Sequence, residues 1–96
     1  MEQDAKSKEF YARLKQQLQE DTNWPSEYLY KFIVPADLSK IAEIEAVFDG
    51  MDAMFQTRDS AKGTYTSVSI KVTMDSPDAV IDKYVEVSKV EGLISL

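Results

Sequence analysis

A chain of 96 residues with a formal net charge of −6 has the size of one domain, and its acidity argues against general nucleic-acid binding, because phosphate backbones repel it. It has neither cysteine nor histidine, which removes disulfides, thiolate chemistry, most zinc and copper sites and the usual Ser-His and Cys-His nucleophile pairs, so no metal or cofactor is expected. With 44% hydrophobic and 29% charged residues, a charged start "MEQDAKSKEF" and no long apolar run, the sequence reads as a globular, cytoplasmic protein without a signal or a membrane span.

The segment from Asp4 to Asp21 is rich in helix formers, and Phe10, Leu14 and Leu18 recur every four residues with Tyr11 beside them. That stripe is narrow, so the helix is expected to bury one seam only, either on a sheet face left open by other helices or on a partner chain. Pro25 interrupts it after Trp24, and residues 1–25 are taken as a helix with its linker. Residues 26–96 form the second unit, which begins with the strand "YLYKFIVP". There Tyr28, Tyr30, Phe32 and Val34 share one face and Leu29, Lys31 and Ile33 the other, as suits a central strand.

A helix follows, with Asp37 as N-cap, Leu38, Ile41, Ile44 and Phe48 at helical spacing, and Gly50 at its end. "MDAMFQTR", from Met51 to Arg58, reads as a weaker edge strand. Val68, Ile70, Val72 and Met74 then alternate strictly with Ser67, Ser69, Lys71 and Thr73, a clean period of two. Ser76 and Pro77 open a last helix whose apolar stripe is Val80, Tyr84 and Val87, and "EGLISL" reads as a short final strand. Strand, helix, strand, strand, helix, strand is the split βαβ pattern. Right-handed crossovers place both helices on one face of a four-stranded antiparallel sheet, with the first and third strands central. The fold class is therefore α+β, a ferredoxin-like βαββαβ sandwich with an extra N-terminal helix.

Chemistry is sparse along this frame. Asp59 to Gly63 join two antiparallel strands, and Gly63 suits a turn position at positive φ. Arg58, Ser60 and Lys62 gather positive charge and a hydroxyl at that turn, the most evident anion-attracting corner of an acidic chain. A phosphate loop needs more glycines and a helix behind it, whereas a strand follows here. RNA-recognition domains of this topology stack bases on aromatic residues of their central strands. The outward positions here hold Ser67 and Ser69, with Tyr65 alone aromatic. Acylphosphatase chemistry, also known on this fold, needs an arginine in the loop after the first strand, and neither Arg13 nor Arg58 falls there. The carboxylates Glu43, Glu45, Asp82 and Glu86 lie on outward helix faces, where charge patterning accounts for them.

The stretch "SAKGTYTSVSI" closely resembles the signature of the YbeD-like family of small bacterial proteins of unknown function, through Ser60, Lys62, Gly63, Tyr65, Ser67, Val68, Ser69 and Ile70. "YKFIVP", Tyr30 to Pro35, looks like the family's first strand, and "VSKVEGLISL" fits its last helix and strand. The resemblance implies a ferredoxin-like fold of the ACT-like kind and carries no catalytic residues. The chain departs from it in its N-terminal helix, and in Val34-Pro35 where amino-acid-binding ACT domains have a glycine-containing loop.

The expectation is a non-enzymatic regulatory or adaptor module that binds a protein partner, or a second copy of itself, through the sheet face, a sheet edge or the N-terminal helix. Phe10, Leu14, Leu18, Tyr65, Ser67 and Ser69 are the candidate interaction residues. The alternative is an ACT-like sensor holding a small anionic ligand near Arg58, Ser60 and Lys62. Neither nucleic acid nor a membrane is an expected partner.

Overall fold

The computed structural model describes residues 5–95; Asp4, the first residue of the expected N-terminal helix, and Leu96, the last of the final strand, lie outside that range. In chain order the elements are α1 (Ala5–Asp21), β1 (Ser26–Pro35), α2 (Leu38–Val47), β2 (Met54–Asp59), β3 (Tyr65–Met74), α3 (Pro77–Val87) and β4 (Ile94–Ser95). The four strands form one antiparallel sheet in the order β2-β3-β1-β4, so the first and third strands are central, as the ferredoxin-like pattern requires.

Local signals account for the element boundaries. Asp37 caps α2 by accepting hydrogen bonds from the Ser39 backbone N–H at 2.9 Å and the Ser39 hydroxyl at 2.7 Å. These two bonds, the side-chain one first, hold its carboxyl below the ordinary value. Ser76 caps α3 by accepting from the Ala79 N–H at 3.1 Å, and Pro77 sits in the first turn, where its missing N–H leaves no bond unmade. The second strand starts at Met54 rather than Met51. Gly50 and Asp52 both have positive φ, 76° and 56°, so the chain is still turning where the alternation of "MDAMFQTR" begins.

The core lies between the sheet and α2 and α3. Tyr30, Phe32 and Val34 from β1 meet Val68, Ile70, Val72 and Met74 from β3, with Ile44, Phe48, Val80, Tyr84 and Val87 above them. Phe32 pairs with Val68 across the two central strands and both are buried, the face assignment expected from their alternation. Leu38 does not join this core. It opens α2 and stays 84% exposed, while Ile41, Ile44 and Phe48 carry the apolar stripe.

The main correction concerns α1. It packs against α3 in the helical layer rather than covering the opposite face of the sheet. Tyr11 stacks on Tyr84 with ring centroids 6.4 Å apart, and Lys15 reaches Asp78 at 2.7 Å. Leu14 and Leu18 lie against the core cluster, and Trp24 Nε1 donates to the Leu18 carbonyl at 3.1 Å, tying the linker back to the helix. Phe10 remains 56% exposed. The reason is where apolar surface is on offer. Among the described residues β4 pairs with Phe32 and Ile33, and toward the Ser26 end of β1 the aromatic rings of Tyr28 and Tyr84 give Tyr11 an apolar surface to stack on. The middle of the opposite sheet face presents Lys31, Gln56, Ser67 and Ser69, and its apolar residues lie apart at its ends, so a continuous leucine stripe gains little there.

Candidate functional site

Among the described residues three helices occupy one side of the molecule and none covers the other side of the sheet, and the strand register says what that side presents. In an antiparallel pair, residues directly opposite each other point to the same face. One row is Met54, Lys71 and Leu29; the next is Gln56, Ser69 and Lys31; the third is Arg58, Ser67 and Ile33, extended by Ile94 of β4. These are the alternates of the partly buried Phe55 and the buried Ile70 and Tyr30, so the core fixes which side chains face outward.

The bare face is concave in its middle. A shallow hollow of about 530 Å³ is lined by Lys31, Gln56, Arg58, Ser67 and Ser69. A second, of about 440 Å³, lies toward the hairpin, between Ile33, Arg58, Ser60 and Tyr65. A third, of about 130 Å³, lies at the other end, beside Leu29, Met54 and Lys71. All three open on the same surface. Leu29, Met54, Tyr65 and Ile94 are 49%, 68%, 45% and 53% exposed, which is substantial apolar area for one side of a small domain.

The hairpin resolves into a turn whose polar groups serve mainly the turn itself. Gly63 has φ +69° and its N–H donates to the Ser60 carbonyl at 2.9 Å. Ser60 closes the loop twice: its N–H donates to the Tyr65 carbonyl at 2.8 Å, and its hydroxyl oxygen accepts from the Tyr65 N–H at 3.2 Å. The exposed Asp59 accepts from the hydroxyl of the buried Thr66 at 3.0 Å, which ties its carboxylate to β3. The Ser67 hydroxyl donates to the Arg58 carbonyl at 3.2 Å.

Of the residues singled out at the turn, Arg58 lines both larger hollows, Ser60 lines one, and Lys62 lines neither. Arg58 is instead brought together with Lys31, which sequence reasoning passed over as an anion ligand. The signal was present, because Lys31 alternates with Tyr30 and Phe32, but only the register shows that it shares a hollow with Arg58. Tyr65, Ser67 and Ser69 lie together on this face, whereas Phe10, Leu14 and Leu18 are on α1 in the helical layer.

The arrangement offers cations, hydroxyls and an amide on a shallow surface. The family model described as "Protein of unknown function (DUF493)" matches residues 19–95. The chain belongs to this family. YbeD is a member too, so the resemblance carried by the hairpin and the third strand is borne out. A "UPF0250 protein" of Shewanella piezotolerans (strain WP3 / JCM 13877) is 30% identical over 73 residues, covering 73% of this chain and 83% of the relative. No solved structure matches the chain. The family match begins in the last turn of α1 and runs through β4, so it contains the whole bare sheet face. No helix among the described residues is long and apolar enough to cross a membrane.

Proposed function

We propose that this DUF493-family chain is a non-catalytic regulatory or adaptor module that works by binding a protein partner on the open face of its sheet. The observation that carries the reading is that face itself. No helix among the described residues covers it, it holds Leu29, Met54, Ile33 and Ile94 beside a cluster of polar groups, and α1 packs on α3 instead. Apolar area left open on a small domain marks an interaction surface. The hollows are wide and shallow, unlike the enclosed, mostly apolar cavities that hold small molecules.

The test is site-specific photo-cross-linking in the native host. A photo-reactive residue at Ser69, in the middle of the face, is expected to give a discrete protein adduct. The same residue at Glu43, on the solvent side of α2, is expected to give none. Equal adducts from both positions, or none from Ser69, would sink the reading.

A second reading, an ACT-like sensor for a small anion, draws on Lys31 and Arg58 lining one hollow. Thermal-shift titration with phosphates, amino acids and carboxylates separates the two readings, since a bound ligand stabilises the folded state by mass action. Stabilisation that vanishes in Arg58→Ala would favour the sensor.

A further inference from the structure

We infer that the open sheet face takes an acidic, extended segment of a partner protein, with its carboxylates against Lys31, Arg58 and Lys71 and apolar residues seated at the two ends of the face. This rests on the protein-binding reading and goes on to name the chemistry of the partner.

The charge on this face runs against that of the chain. The whole protein carries −6, yet the three cations Lys31, Arg58 and Lys71 project from one surface and are exposed. Among the described residues the acidic neighbours of these cations are Glu27, one row beyond Lys71 and opposite Thr73, and Asp59, which lines the hollow beside the hairpin and accepts from the Thr66 hydroxyl; neither ion pair of the described residues involves any of the three cations. The helical side is the reverse: Glu43, Glu45, Asp78, Asp82 and Glu86 are all exposed there. A small domain polarised in this way attracts and orients a negatively charged partner on its sheet side.

The geometry fits a peptide. Lys71 lies in the first row on β3, Lys31 in the second on β1 and Arg58 in the third on β2, so the charges form a triangle around Ser69 and Ser67. Diagonal neighbours such as Lys31 and Lys71 stand about 7–8 Å apart. The apolar pair Leu29 and Met54 closes one end and Ile33 with Ile94 the other, four strand residues or about 13 Å along. That span equals four residues of extended chain. Shallow hollows suit such a segment better than a helix of about 10–12 Å diameter. A single-stranded nucleic acid would meet no stacking platform in the middle rows, where the outward residues are Ser69, Lys31, Ser67 and Gln56.

The experiment titrates the isotope-labelled full chain, observed by amide NMR, with a synthetic heptapeptide of three central aspartates flanked by leucines. Its counterparts replace the aspartates by asparagine or by lysine, and a heptamer of uridylate serves as the nucleic-acid arm. The expected result is that shifts concentrate on residues 29–33, 54–58 and 67–71. The acidic peptide should bind about tenfold or more tightly than the asparagine peptide, and the advantage should shrink with added salt. Lys31→Gln, Arg58→Gln and Lys71→Gln combined should remove that advantage without lowering the melting temperature, because all three side chains are exposed. Equal binding of acidic and asparagine peptides, or preference for the uridylate heptamer, would overturn the inference. The Ser69 cross-link separates it from the parent reading. An adduct that survives the triple substitution means a partner of other chemistry, and the inference falls while protein binding stands. An adduct between two copies of the chain would assign the face to self-association and overturn it as well.

Discussion

Tyr11 of α1 stacks on Tyr84 of α3, with ring centroids 6.4 Å apart and an interplanar angle of 29°. Through Tyr84 the N-terminal helix is joined to the aromatic cluster of the core, because Tyr84 also packs edge-on to Tyr30 at 4.9 Å and shares a 2.8 Å hydroxyl hydrogen bond with Tyr28.

Tyr11→Ala should therefore cost about 1–2 kcal/mol, combining lost apolar burial with the extra value of an aromatic pair. Phe10→Ala, at a position 56% exposed, should stay within about 0.5 kcal/mol. Deleting residues 1–22 should leave the βαββαβ unit folded while exposing Tyr84 and its neighbours, seen as new binding of a hydrophobic dye. Urea denaturation reads the first two. A truncated chain with unchanged stability and no dye binding would show that α1 contributes nothing to the core.

Phe32 is fully buried between β1 and the helices. Phe32→Ala should cost about 3–5 kcal/mol, the usual range for emptying such a site. For a domain of this size that is a large part of the total stability. Thermal or chemical unfolding measures it, and a cost below about 1 kcal/mol would contradict the packing described.

The two glycines with the clearest roles should respond differently. An added Cβ at Gly63 meets open space, so Gly63→Ala should cost only the left-handed backbone penalty of about 1–2 kcal/mol. Gly63→Val should cost more, through its branched side chain. At Gly92 the φ is +81° and a Cβ would also stand 2.9 Å from Pro35 Cγ, so Gly92→Ala should be the more damaging of the two alanine changes. Lys62→Ala, next to Gly63 and exposed, should leave stability unchanged. Comparing urea midpoints of the four variants checks the order.

Alkaline pH should destabilise the protein through its buried tyrosines. Desolvation, reinforced by the neighbouring Tyr28, pushes the Tyr30 hydroxyl far above its ordinary value of 10.0; desolvation and then the hydrogen bond with Tyr28 do the same for Tyr84. A raised folded-state value means that the folded protein keeps protons which the unfolded chain releases. The associated stability is complete below about 10 and is lost as the pH rises beyond it toward the folded-state values. Urea midpoints measured at neutral pH and at steps above 10 should fall in the parent protein. They should fall less in Tyr30→Phe with Tyr84→Phe, which begins less stable because the 3.0 Å bond from Tyr30 to the Val80 carbonyl is gone. An equally steep fall in that variant would place the alkaline sensitivity elsewhere.

Much of the architecture was determined by sequence alone, because its signals are local. The strict alternation of Val68, Ile70, Val72 and Met74, the caps at Asp37 and Ser76 and the turn at Gly63 depend on backbone preferences that act within a few residues. Element order, sheet order and the family signature follow from them. The placement of α1 was not legible in this way, since an apolar stripe says only that something must cover it. Only the tertiary structure brings Tyr84 of α3 and the neighbouring Tyr28 together as the surface on which Tyr11 stacks. The candidate site needed the tertiary structure for the same reason. Lys31, Arg58 and Lys71 come from three different strands, and only the hydrogen-bonded register between those strands brings their charges onto one surface.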